Sequence, residues 1–174
     1  MLYCLLDMDG VISDFYAGAA KLHNREIDFR KLREDDSLPK LWGMSNAEFW
    51  KPIDATFWVN LPILNDAKTI VKFLESAFDD VVICSSSSLA MDAELGKKLW
   101  LSLHFPQFLN NRFIFTKRKE LCASKYNVLI DDSLKNVQKF QEFGGRALLL
   151  PRPGNNRWHE DTMSELKSYV SKLK

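Results

Sequence analysis

Five short, nearly unbroken apolar runs constrain this chain more than any other feature: Leu2 to Leu6, Val81 to Cys84, Arg112 to Phe115, Asn127 to Ile130, and Arg146 to Leu150. A strand with one wet face alternates apolar and polar side chains, whereas a strand covered on both faces does not. The runs therefore predict parallel strands buried between two layers. Helical spacing lies between them. After Asn65 and Asp66, both good N-cap types, Ile70, Val71, Leu74, Ala77 and Phe78 recur on one face. Leu134, Val137 and Phe140 do the same after Ser133, until Gly144 and Gly145 stop the pattern. Leu166, Tyr169, Val170 and Leu173 mark a last helix. Such alternation predicts an α/β fold, an open and doubly wound parallel sheet with helices on both faces. A length of 174 residues suits one such domain.

One segment breaks the rhythm. About fifty residues separate the first strand from the Asn65 helix, and they hold eight of the chain's 21 aromatic residues, from Phe15 to Trp58. The expectation is a small helical cap, residues 17–63, inserted after the first strand into a core of residues 1–16 and 64–174. Phe57 and Trp58 read as packing within that insertion.

In open α/β sheets, ligands bind beyond the carboxyl ends of the strands. Those ends carry Asp7-Met8-Asp9-Gly10-Val11, Ser85-Ser86, Thr116-Lys117-Arg118-Lys119 and Asp131-Asp132-Ser133. Each cluster alone has an ordinary explanation: loop aspartates cap helices, Ser85 to Ser88 opens one, and the lysines line a solvated turn. Together they bring four carboxylates, hydroxyls and a basic cluster to one crevice. Like charges a few Å apart do not all stay ionised without compensation. Oxygen ligands with no histidine nearby favour Mg²⁺ over zinc or copper. Hydroxyls and a lysine suit a phosphoryl group, and two carboxylates two residues apart can divide nucleophilic and acid–base work.

Charge and composition narrow the partners. The net charge of +1 offers no global field for nucleic-acid polymers or anionic membranes. No apolar run reaches the length of a membrane-spanning helix, and the N-terminus lacks the basic-then-apolar pattern of a cleaved signal. Three cysteines, Cys4, Cys84 and Cys122, form no disulfide framework, which suits a reducing, cytoplasmic setting. The expected partner is a small molecule, with a homodimer left open.

The residues from Leu6 to Val11 resemble the first motif of the haloacid dehalogenase-like (HAD) phosphohydrolases, which have a Rossmann-like core. Ile83-Cys84-Ser85 resembles their second motif, Lys119 the third, and Leu129 to Asp132 the fourth. Within that superfamily the chain is most similar to the 5'(3')-deoxyribonucleotidases and small 5'-nucleotidases. Asp14-Phe15, the stretch from Phe57 to Pro62 and Pro151-Arg152-Pro153 carry that likeness. Departures are a Ser for the usual Thr after the second strand, two extra residues before the fourth motif, and Gly154 where a Trp is common.

The resemblance implies that Asp7 attacks phosphorus to form an aspartyl-phosphate. Asp9 then protonates the departing oxygen, activates water, and lends its backbone carbonyl to Mg²⁺. Ser85, helped by Ser86, holds a phosphoryl oxygen, and Lys119 neutralises charge, with Lys117 as its rival. Asp132 and Asp131 complete the metal set with Asp7, Asp132 favoured as the direct ligand. Phe15, Trp42 and Trp50 stack the nucleobase. The expected activity is dephosphorylation of nucleoside monophosphates, with deoxyribonucleotides favoured. Two alternatives stand beside it: the same chemistry on a sugar phosphate or a nucleic-acid 3'-phosphate end, and a non-enzymatic phosphoacceptor signalling domain.

Overall fold

The computed structural model describes residues 1–32, 37–86, 92–155 and 157–173. Five strands form it: β1 (Tyr3–Leu6), β2 (Asp80–Ser85), β3 (Phe113–Phe115), β4 (Asn127–Asp131) and β5 (Arg146–Leu149). All pair in parallel, in the order β3-β2-β1-β4-β5. The sheet is thus the expected open α/β type. The chain winds outward from β1 on one side, then crosses to wind outward on the other, which sets a switch point at the carboxyl ends of β1 and β4. The strand ends fall within a residue of the apolar runs. Ser85 and Asp131 differ in kind, because the ladder reaches them: Ser85 pairs with Phe115 and Asp131 with Leu149. Both are held by strand backbone rather than by a loop.

Side-chain alternation along β1 sends Cys4 and Leu6 to the larger core, with Val81, Ile83 and Trp100, and Leu5 to the smaller one, with Leu129, Val137 and Phe140. Cys4 and Cys84 are buried, as expected of small hydrophobes, and burial pushes the Cys84 thiol up to about 12. Among the described residues, no helix is long and apolar enough to cross a membrane.

Between β1 and β2 run α1 (Phe15–His23), a 3₁₀ turn (Phe29–Lys31), α2 (Leu38–Trp42), α3 (Asn46–Trp50), α4 (Ala55–Val59) and α5 (Ala67–Ala77). The chain leaves and re-enters the sheet side by side. Asp14 N–H donates to the Pro62 carbonyl at 2.7 Å and Leu64 N–H to that of Ile12 at 3.0 Å. Helices of five residues are marginal alone. Here α3 has a Ser45/Glu48 capping box and α4 an Asp54 cap, and both bury aromatic residues: Phe49 in α3, Phe57 and Trp58 in α4. Asp66 departs from its expected role. It precedes α5 without capping it, because both carboxylate oxygens are drawn to the Arg152 guanidinium, at 2.7 and 3.0 Å.

Three helices complete the layers: α6 (Ala93–His104), α7 (Leu134–Glu142) and α8 (Thr162–Ser171). The expected Ser133 cap is present, its hydroxyl accepting from Asn136 N–H. Ser87 and Ser88, from the serine run read as a helix opening, lie outside the described residues.

Candidate active site

The turn after β1 is built on one carbonyl. Met8 O accepts from the N–H groups of Val11, Ile12 and Ser13, at 3.2, 2.9 and 2.9 Å. Gly10 has φ +80°, a left-handed conformation, and a Cβ there would lie 2.2 Å from Asp132 Oδ2. Glycine suits both: it adopts this angle without cost, and any Cβ would push the Asp132 carboxylate aside. This places Asp9 and Asp132 on adjoining loops, with Asp7 at the end of β1 held by its N–H to Ile130 O at 2.9 Å.

Lys119 is buried between two carboxylates. Its ammonium lies 2.7 Å from Asp7 Oδ1 and 2.7 Å from Asp131 Oδ2. Lys117, its sequence rival, is exposed. Asp131 is fully engaged: besides Lys119 it accepts from Ser133 N–H at 2.8 Å and from the Asn136 amide at 3.2 and 3.1 Å. Among the described residues, no group donates to the Asp132 carboxylate. Asp7, Asp131 and Asp132 bring carboxylate oxygens within 4.8 Å of one another. Three carboxylates thus face one lysine. Burial pushes Asp7 up to about 7, the Asp131 and Asp9 charges adding and Lys119 opposing. Burial likewise raises Asp132 well above the usual carboxylate range, with Asp7 and Asp131 as further causes. An all-oxygen set with excess negative charge, one member unpartnered, fits a hard divalent cation.

The Asp9 carboxylate is not part of that cluster; its partners are a second lysine and two hydroxyls. Its Oδ2 receives the Lys97 ammonium at 2.5 Å and lies 3.4 Å from Ser85 Oγ, while Ser13 Oγ lies 3.2 Å from Oδ1. Lys97, on α6, also donates to Ser85 Oγ at 2.9 Å and to Ser86 O at 2.7 Å. Ser86 therefore enters the site through its carbonyl; its hydroxyl makes no hydrogen bond to a described residue. Lys97 belongs to no motif read from the sequence. A lysine three residues before a tryptophan on an apolar helix face was its only local signal.

A cleft of about 620 Å³ opens beside these groups, lined by Asp9, Gly10 and Asp132, by Phe15 and Trp50, and by Ser133, Lys135 and Gln138 of the α7 end. The Phe15 and Trp50 rings lie 6.1 Å apart, and Trp50 is 43% exposed. Phe15 is backed by Trp58, stacked at 5.6 Å. Trp42 is the third ring expected there. It is not in the cleft wall: its ring packs on His23 and Phe49, and its N–H donates to Glu26 O at 3.1 Å, so it supports the wall from behind. Phe57 and Trp58 are buried, as their reading as packing anticipated. Gly154 lies against Tyr16: a Cβ there would meet the Tyr16 hydroxyl at 2.1 Å, so a larger residue would displace that ring. Arg152 anchors the same loop, donating to Val11 O at 2.7 Å, while the Asn155 amide donates to Asp132 O at 3.0 Å.

Residues 1–169 match the sequence model of a family described as "5' nucleotidase, deoxy (Pyrimidine), cytosolic type C protein". No curated protein matches the chain. Among solved structures, a HAD family hydrolase from Deinococcus radiodurans R1 with bound phosphate and sodium aligns with 98% of this chain and 87% of its own, at 14% identity and TM-score 0.57. A HAD hydrolase, family IA, variant 3, from Entamoeba histolytica aligns with 98% of this chain and 100% of its own, at 14% identity and TM-score 0.51. A hydrolase from Pseudomonas syringae aligns with 97% and 90%, at 14% identity and TM-score 0.51. Likeness at these identities establishes the shared fold.

Proposed function

This chain belongs to the cytosolic type C 5'-nucleotidase family of HAD-like phosphoric monoester hydrolases, and from that premise we propose that it dephosphorylates deoxyribonucleoside monophosphates with Mg²⁺. The observation that carries the reading is a juxtaposition. A carboxylate cluster with one buried lysine adjoins a cleft whose wall includes the neighbouring aromatic rings Phe15 and Trp50. Phosphate chemistry and a flat, apolar ligand are thus served in one crevice.

In this reading an Asp7 oxygen attacks phosphorus, the ester P–O bond breaks, and the Asp9 proton passes to the departing nucleoside oxygen. Water then attacks the aspartyl-phosphate while Asp9 takes its proton, and the bond to Asp7 breaks to release phosphate. Lys119 neutralises charge on Asp7 and the phosphoryl oxygens, and Ser85 donates to one of those oxygens. Asp7, Asp132 and the Asp9 carbonyl hold the cation, while Asp131 orients Lys119. When bound, Mg²⁺ supplies positive charge that lets the clustered carboxylates and the phosphate approach. Phe15 and Trp50 hold the base. Residues 17–63 serve as a cap over a core of residues 1–16 and 64–174. The family's cytosolic description and the buried, unpaired Cys4 and Cys84 support a cytoplasmic protein.

The test is phosphate release by purified protein with Mg²⁺ from a panel of ribo- and deoxyribonucleotides bearing 5'- or 3'-phosphates, with sugar and aryl phosphates alongside. Turnover highest on deoxyribonucleoside monophosphates is expected. Release from none of them would refute the proposal, and a preference for sugar phosphates would replace its substrate.

A further inference from the structure

Lys97 is 1% exposed, and its ammonium is surrounded by the acid–base side of the site. It donates to Asp9 Oδ2 at 2.5 Å, Ser85 Oγ at 2.9 Å and Ser86 O at 2.7 Å, so all three N–H groups are committed. The Trp58 ring packs against the same ammonium, 4.4 Å away. The preceding residue explains how a lysine comes to sit so deep. A Cβ on Gly96 would lie 2.6 Å from Ala55 O and 2.7 Å from Trp58 Cβ, so α6 and α4 meet almost backbone to backbone. That approach drives Lys97 inward over Trp58.

Burying an ammonium is costly unless its partners are placed to receive it. The partners here are the residue assigned to acid–base work, the hydroxyl assigned to the phosphoryl group, and the backbone beside it. We infer that Lys97 is a positioning residue for the acid–base step, pinning Asp9 by Oδ2 so that Oδ1 gives and takes the proton. Oδ1 is the less engaged edge: it accepts only from Ser13 Oγ at 3.2 Å, whereas Oδ2 is shared between Lys97 and Ser85. Without Lys97 the carboxylate rotates and its proton no longer meets the ester oxygen. This inference rests on the Asp9 role proposed above.

A general acid matters most when the leaving group is poor, which supplies a readout that loss of packing does not move. Rapid-quench single-turnover rates of alcohol release are measured for Lys97→Met, Lys97→Gln and Asp9→Asn. The substrates are a deoxyribonucleoside monophosphate, whose alkoxide needs a proton, and 4-nitrophenyl phosphate, whose phenolate does not. For Lys97→Met the nucleotide rate is expected to fall about 100-fold and the aryl rate less than about 10-fold. Inorganic phosphate affinity should stay within about twofold, as for a residue that does not grip the phosphoryl group. Equal losses on both substrates, or a matching loss of phosphate affinity, would overturn the inference. Lys97→Gln, which keeps a donor toward Ser86 O, carries the same comparison if thermal melts show Lys97→Met unfolded. Asp9→Asn separates the two levels. A leaving-group skew in Asp9→Asn without one in the Lys97 variants sinks this inference alone; no skew in Asp9→Asn sinks the Asp9 assignment and the inference together.

Discussion

Gly10→Ala should separate stability from turnover at this site. Gly10 sits at φ +80°, and the added methyl would be built 2.2 Å from Asp132 Oδ2, with the carboxyl carbon at 2.8 Å. The left-handed backbone costs a non-glycine residue about 1–2 kcal/mol. In a domain of this size that lowers Tm by roughly 2–8 °C. The side-chain contact acts differently. Its far atoms belong to a rotatable carboxylate, so the clash is relieved by moving Asp132 rather than by unfolding. Reaching ordinary van der Waals distance displaces that carboxylate by about 1 Å, a misplacement that costs about 100-fold in rate at an active site. Circular-dichroism melts, Mg²⁺ titration calorimetry and kcat on a deoxyribonucleoside monophosphate measure the three consequences. The expected pattern is a modest fall in Tm, weakened Mg²⁺ binding and a large fall in kcat. A folded variant with kcat within threefold of wild type would refute the reasoning, since Asp132 would then not be needed where the Gly10 turn puts it.

Four further outcomes follow from the same geometry. Asp7→Asn should abolish turnover while leaving the fold intact, checked by phosphate release and circular dichroism; retained activity would remove the nucleophile assignment. Lys119→Met leaves Asp7 and Asp131 buried without their shared cation, and should cost about 3–5 kcal/mol in urea unfolding. Mg²⁺ at about 100 times its dissociation constant should stabilise the protein by roughly 2.7 kcal/mol, a gain that chelation reverses and that Asp132→Asn diminishes. Trp50→Ala should raise KM for nucleotides more than for an aryl phosphate, whereas an equal effect on both would make Trp50 a packing residue only.

Much of this molecule is legible from local sequence, and the reason is physical. Continuous apolar runs report strands covered on both faces. Polar residues that interrupt those runs report strand ends, and in a doubly wound sheet the ends meet by topology. Asp7, Ser85 and Asp131 were therefore brought together by rules that need no coordinates. The capping role of Ser133 was readable because a cap acts on its own helix. Tertiary structure decided whatever depends on a distant partner. Asp66 looked like a cap until Arg152, 86 residues away, claimed its carboxylate. Trp42 resembled Trp50 in the chain, but only packing set one behind the cleft wall and the other in it. The different settings of Asp131 and Asp132 appear only in the fold, where Lys119 and Asn136 engage the first and, among the described residues, no group donates to the carboxylate of the second. Lys97 is the plainest case, joined to Asp9 across 88 residues by the close approach of α6 and α4 at Gly96. The sequence by itself determined the sheet, its carboxyl edge and the motif residues gathered there. The fold alone chose which cation faces which carboxylate, because burial and ion pairing depend on where the whole chain, not the local segment, comes to rest.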